Sequence, residues 1–244
     1  MNQLHQLRDF QQALADYQLS EAAQKTLAAV ELVMLLGPTG GGRNTIINEL
    51  VKNYDYYFIV SDTTRQPRAN NGVLEQNGRE YWFRNEAEML AEIEAGSFLE
   101  AEIIHNQQVS GISMRELAKA LDRGKTAIAD VDIGGLQSGL KLKPETIAVL
   151  IVPPSFSEWQ QRLGLRGDMP SDERKRRMET ALDIFKMGTL DESFSILIND
   201  SFVEAAERIQ QLVQGATISL SERQQSRLHC QQLLDDTRAF ISRL

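Results

Sequence analysis

The segment from Glu31 to Thr45 constrains this chain more than any other. Val33 to Leu36 form an apolar run of the length of a buried strand. Gly37-Pro-Thr-Gly-Gly-Gly42 follows without a break, and Ile46, Ile47, Leu50 and Val51 then recur at helical spacing. A strand that passes through glycines into a helix turns backbone N–H groups, and the positive end of the helix dipole, toward an anion. Three consecutive glycines cost chain entropy without an obvious structural return. A glycine-rich turn with no ligand is the alternative reading.

The segment fits the phosphate-binding pattern G-x-x-x-x-G-K-[ST] only in part. Gly37 and Gly42 are correctly spaced, but Arg43 stands where the pattern has lysine and Asn44 where it has a hydroxyl for magnesium. Arginine keeps the charge but is a planar fork rather than a compact point charge. Asn44 can offer an amide oxygen to a metal, and Thr45 a hydroxyl one residue later.

Composition narrows the partners. A net charge of −8 argues against a nucleic-acid or membrane-surface binder, so an anionic ligand needs a local cluster of basic side chains. The single cysteine, Cys230, excludes an internal disulfide and fits a reducing compartment. No run of about 18 apolar residues is present, and the N-terminus lacks the profile of a signal peptide. A cytoplasmic protein is expected.

Leu4, Leu7, Phe10, Leu14 and Tyr17 make one helical stripe, and Ser20 is placed to cap a second helix through Ala29. The stripe is either a partner surface, for example of a homodimer, or packing for the chain's own core. Strands are expected at 56–60, 97–104, 125–131, 146–152 and 195–198. Helices are expected at 86–95, 114–123, 202–213, around Trp159, from about Asp172, and from Ser219 or Ser221 to the end. Strands alternating with helices predict an α/β fold: a three-layer parallel sheet with helices on both faces. Ligands on such sheets bind beyond the C-terminal strand ends. The glycine loop, Asp130, Asp132 and Asn199 all follow strands and are expected on one edge.

In this order, the motifs resemble the guanylate kinase family of P-loop nucleoside monophosphate kinases over about residues 32–213. Gly37-Pro-Thr-Gly-Gly-Gly42 looks like its ATP loop. Ser61-Asp-Thr-Thr-Arg65-Gln-Pro-Arg68 is similar to its acceptor-phosphate signature, and Glu75-Gln-Asn-Gly-Arg-Glu-Tyr81 to its E-x-x-G-x-D-Y. Phe98-Leu-Glu100 resembles the element whose glutamate reads guanine. Asp130-Val-Asp132 resembles the magnesium-side strand end. Arg162, Arg166 and Arg177 resemble the lid arginines, and Asn199 the adenine-side asparagine.

The resemblance implies transfer of a phosphoryl group from ATP to GMP or dGMP, with Mg2+. The ATP side would comprise Gly37, Pro38, Thr39, Gly40, Gly41, Gly42, Arg43, Asn44, Thr45 and Asn199. The monophosphate side would comprise Ser61, Arg65, Arg68, Glu75, Tyr81, Glu100, Ser110 and Asp132. Asp130 and Asn44 would serve the metal, partly through water. Arg43, Arg162, Arg166 and Arg177 would stabilise the transferring group. It also implies an acceptor insert at about 61–114 and a lid at about 155–185, flanked by helical extensions at 1–31 and 214–244.

The departures define a rival, a catalytically impaired module that binds nucleotide or protein. They are Arg43, Asn44, a carboxylate at Asp62 beside the phosphate segment, Ser110 for a tyrosine, Ile112 for a hydroxyl, and Gly134 for a glutamine.

Overall fold

The computed structural model describes residues 4–70, 72–164 and 170–243. In chain order the elements are α1 (Leu7–Ala15), α2 (Glu21–Ala29), β1 (Leu32–Leu36), α3 (Arg43–Asn53), β2 (Tyr56–Phe58), β3 (Asp62–Thr63), β4 (Ala69–Asn70), β5 (Val73–Leu74), β6 (Trp82–Phe83), α4 (Glu86–Glu94), β7 (Phe98–Ile104), β8 (Gln108–Ser113), α5 (Met114–Asp122), β9 (Thr126–Asp130), α6 (Ile133–Leu142), β10 (Ile147–Val152), α7 (Phe156–Gly164), α8 (Ser171–Leu190), β11 (Ser195–Ile198), α9 (Phe202–Val213) and α10 (Leu220–Ile241). They form an α/β fold in two compact units. One holds the chain up to Leu32, Tyr56–Ala129 and Gln137–Thr146; the other holds Val33–Asp55, Asp130–Leu136 and the chain from Ile147 onward.

In the second unit β1, β10 and β11 run parallel, with Val33 opposite Ile147 and Val149 opposite Ser195. β1 is wholly buried, as is β10 from Ala148 to Val152. Such runs lack alternation because helices cover both faces of a parallel sheet. Helix α3 packs on α9, and α10 packs on α8, α7 and β11. Ser219 opens α10 with a reciprocal capping box to Glu222. The buried face of α10 holds Cys230, Leu233, Leu234 and Thr237. Burial pushes the Cys230 thiol up to about 12, so it is a packing residue rather than a nucleophile.

In the first unit β2 pairs in parallel with β9, and a second sheet runs β6-β3-β8-β7. β7 and β8 form an antiparallel hairpin, turned through His105 and Asn106 at positive φ. Leu4 and Phe10 are buried in a cluster with Met89, Leu90, Ile93, Phe98 and Val109, and Leu7, Leu14 and Tyr17 pack against it. The N-terminal stripe is therefore covered by its own unit, which decides between its two sequence readings. Among the described residues, no helix is long and apolar enough to cross a membrane.

Gly96 joins the arm to this unit. It has a φ of +66, and its carbonyl accepts from Ser20 N–H at 3.0 Å. A Cβ there would lie 2.5 Å from Ser20 N and 2.6 Å from Gln18 O. Left-handed backbone alone costs a side chain about 1–2 kcal/mol, and the clash adds to it. Gly96→Ala is expected to lower the midpoint of thermal unfolding by about 4–8 °C, read by calorimetry.

Candidate active site

The glycine loop is held by its carbonyls. Gly37 C=O accepts from Arg43 Nη1, Thr39 C=O from Trp159 Nε1 at 2.7 Å, and Gly41 C=O from Asn199 Nδ2 at 2.8 Å. Alternate carbonyls thus face the protein. The N–H groups of the first turn of α3, at Arg43 and Asn44, have no acceptors within the helix and carry the positive dipole end. Helix starts of this kind favour anions. The glycines are required by contact as well as by conformation. A Cβ at Gly37 would sit 2.4 Å from Ile151 O, and one at Gly42, where φ is +96, only 2.1 Å from Asn199 Nδ2.

Arg43 turns back along this loop. Besides its bond to Gly37, its Nε lies 3.0 Å from Asp130 Oδ1. That ion pair lacks hydrogen-bond alignment, and the buried Oδ1 accepts no hydrogen bond. Burial raises the Asp130 pKa; the Arg43 charge opposes the shift and Asp132 adds to it. Asp132 lies past the end of β9, where its Oδ1 accepts from Gly135 N–H at 2.8 Å and closes the turn into α6. One of its oxygens is thus engaged by the backbone rather than offered to an acceptor nucleotide.

Asn44 and Thr45 are exposed in the first turn of α3. Among the described residues, no three His, Cys, Asp or Glu side chains cluster as a metal site. A magnesium ion usually needs only one or two carboxylates beside phosphate and water. Asp130 supplies one such carboxylate, with its Oδ1 also facing the Arg43 guanidinium.

Within this unit Arg43 of the loop faces Asp130, Asn199 holds Gly41, and Arg162 reaches Asn199. Arg162 donates to Asn199 C=O at 3.1 Å and pairs with Glu158. Arg177 pairs with Glu173 on its own helix at 2.8 Å. Arg166 lies outside the described residues. Asn199 is 3 % exposed and its amide braces Gly41, so that nitrogen supports the loop instead of reading an adenine. Trp159 is wholly buried and also holds Thr39. A buried indole N–H needs an acceptor, and that requirement is the signal that points to this role.

The acceptor-side residues lie in the first unit. Arg65 binds Glu75 through two nitrogens at 2.6 and 3.0 Å, and Arg68 N–H donates to Glu75 Oε2 at 2.8 Å. The guanidinium of Arg65 stacks on Tyr81, 4.7 Å from the ring centroid. Arg65 and the Arg68 amide hold the Glu75 carboxyl below its usual range. Glu75 consequently orients Arg65. The Arg68 side chain is exposed, whereas Ser61 and Tyr81 are half-buried.

Asp62, the suspect carboxylate, is fully buried and paired with arginines. It is bound by Arg84 Nη1 at 2.8 Å and by Arg115 Nη2 at 2.8 and 3.0 Å. Ser110 Oγ donates to Thr63 Oγ1 at 2.8 Å, where β8 pairs with β3, and Ile112 is core at 1 % exposure. Arg65 and Arg68 line a groove of about 820 Å3 with Thr64 and Arg84. Glu100 lines a separate one of about 780 Å3.

A family model described as guanylate kinase matches residues 29–216, which leaves α1, α10 and all of α2 but Ala29 outside. The guanylate kinase of Nocardia farcinica is 37% identical over 183 residues, covering 74% of this chain and 92% of that protein. The guanylate kinase of Corynebacterium diphtheriae is 34% identical over 186 residues, covering 75% and 94%. The crystal structure of guanylate kinase from Anaplasma phagocytophilum matches with a TM-score of 0.55 at 22% identity, over 79% of this chain and 89% of that one. At that identity the structural likeness speaks to the fold alone.

Proposed function

Since the chain belongs to the guanylate kinase family, we propose that it transfers a phosphoryl group from ATP to GMP or dGMP, giving two diphosphates. The observation that carries this reading is that the chain holds both a braced glycine loop and a pre-oriented arginine fork, each built within its own unit. Phosphoryl transfer demands positioning and charge neutralisation rather than covalent chemistry from the protein, and these two devices supply both.

The loop amides and the start of α3 take the triphosphate. Arg65, held flat between Glu75 and Tyr81, grips acceptor phosphate oxygens through its remaining N–H groups, and Arg68 adds a second cation. Ser61 and Tyr81 add hydroxyl donors. Glu100 accepts from ring N–H groups of guanine, with Ser110 at the edge of the acceptor side. Arg43, Arg162 and Arg177, with Arg166, neutralise charge on the transferring group. Asp130 and Asn44 would hold magnesium, which would supply charge neutralisation at the donor phosphates. The negative net charge and the buried cysteine suit a small-molecule enzyme of the cytoplasm.

The test is a coupled assay with ATP and magnesium over the purine and pyrimidine monophosphates, ribo and deoxy. GMP or dGMP is expected to exceed AMP in kcat/KM by at least about 10^2-fold, as for a site that hydrogen-bonds its substrate's edge. Equal rates with AMP would remove Glu100 from base reading. No turnover of any monophosphate would favour the non-catalytic module that Arg43 and Asn44 bring to mind.

A further inference from the structure

We propose that Tyr17, on the helical arm outside the family match, is a positioning residue for Glu100 and so sets base discrimination at the acceptor site. The inference rests on Glu100 reading the base.

β7 is the last strand of the order β6-β3-β8-β7, so one of its edges carries backbone groups without a neighbouring strand. Tyr17 serves that edge at one residue. Its hydroxyl accepts from Phe98 N–H at 2.7 Å and donates to Phe98 C=O. One phenol thus replaces both hydrogen bonds that a neighbouring strand would make. The residue it holds adjoins the one irregularity in the hairpin. Phe98 stands opposite Ser113, but Glu100 stands opposite Ile112, so β7 carries one extra residue there.

Side chains alternate along a strand, and a one-residue slip sends every later side chain to the opposite face. Glu100 is the first paired residue after the slip. Holding Phe98 fixed therefore fixes the face on which Glu100 is presented. Tyr17 and Glu100 also line the same groove of about 780 Å3. The arm is anchored on either side of Tyr17, by buried Phe10 and by the bond from Ser20 N–H to Gly96 C=O.

The test is a double-mutant cycle of Tyr17→Phe and Glu100→Gln in the full chain, with KM for GMP, AMP and ATP measured alongside a thermal melt. Tyr17→Phe keeps the ring and removes only the hydroxyl. It is expected to raise KM for GMP about tenfold, from the two peptide groups left without partners. It should also narrow the GMP-to-AMP preference and leave KM for ATP unchanged. In the Glu100→Gln background it should change nothing further, because residues that act as one unit are not additive. Full additivity would overturn the inference, as would a silent Tyr17→Phe beside a damaging Glu100→Gln. A silent Glu100→Gln would overturn the base-reading premise itself and the inference with it. A Tyr17→Phe variant that loses GMP and ATP affinity together would show a general structural role and also overturn it.

Discussion

Arg65→Ala is expected to raise KM for the monophosphate acceptor about 10^3-fold while KM for ATP stays within about twofold. Two losses add. The charge-assisted fork to the acceptor phosphate is worth about 1.5–3 kcal/mol per hydrogen bond. The substitution also uncovers Glu75, which Arg65 now holds through two nitrogens. An unpaired carboxylate beside the phosphate path repels the ligand that the arginine attracted. Arg65→Lys should recover only part of the loss, since an ammonium cannot both chelate Glu75 and lie on the Tyr81 ring. Calorimetric titration of GMP into the variant, beside steady-state kinetics, checks both statements. Unchanged GMP affinity in Arg65→Ala would remove this arginine from the acceptor site.

The second large effect is expected at Arg43. Arg43→Ala should lower kcat by about 10^2–10^3, the usual range for losing a group that stabilises transition-state charge. The KM for GMP should not move. Arg43→Lys should keep most of the turnover, because lysine is the ordinary cation of this loop. Arg43 braces Gly37 and faces Asp130, so alanine also frees the loop carbonyl and strips the buried carboxylate of its counter-charge. ATP affinity read by titration separates the effects: a fall limited to kcat marks transition-state stabilisation, and a parallel loss of ATP affinity marks loop support. A variant with unchanged kcat would leave the loop cation without a catalytic part. If Arg43→Lys with Asn44→Ser raised turnover well above the parent, the natural loop would be an impaired one.

The central strand, the glycine loop and α3 were legible because each announces itself locally, through an unbroken apolar run, consecutive glycines and apolar spacing of three and four. The terminal stripes were equally legible as helices. What covers them was not, since a stripe does not say which surface it meets; Phe10 finds Met89 and Phe98. Six elements escaped: the two-residue strands β3, β4, β5 and β6, too short to show a period, and β8 and α6. β8 alternates weakly, starting at Gln108 with Ser110 and Gly111 at its centre, and forms because β3 and β7 flank it. α6 contains Gly134, Gly135 and Gly139, poor helix formers, and starts where Asp132 takes the Gly135 amide.

The site divided along the same line. Residue types that bind phosphate could be picked out in order, but the partners that orient them could not. Asp62 looked harmful beside a phosphate segment because its cations lie 22 and 53 residues away, at Arg84 and Arg115. Glu75 gave no sign of orienting Arg65 because a ten-residue link leaves no trace in local spacing. Asn199 looked like a base contact, yet it reaches the loop 158 residues earlier in the chain.

The most direct measurement follows label from the γ-phosphate of ATP in the presence of GMP, magnesium and the full chain. Labelled GDP is expected in one-to-one proportion with ADP, with its rate of formation at low GMP falling about 10^3-fold in Arg65→Ala. Binding of both nucleotides with no labelled GDP, at any magnesium concentration, would contradict this expectation.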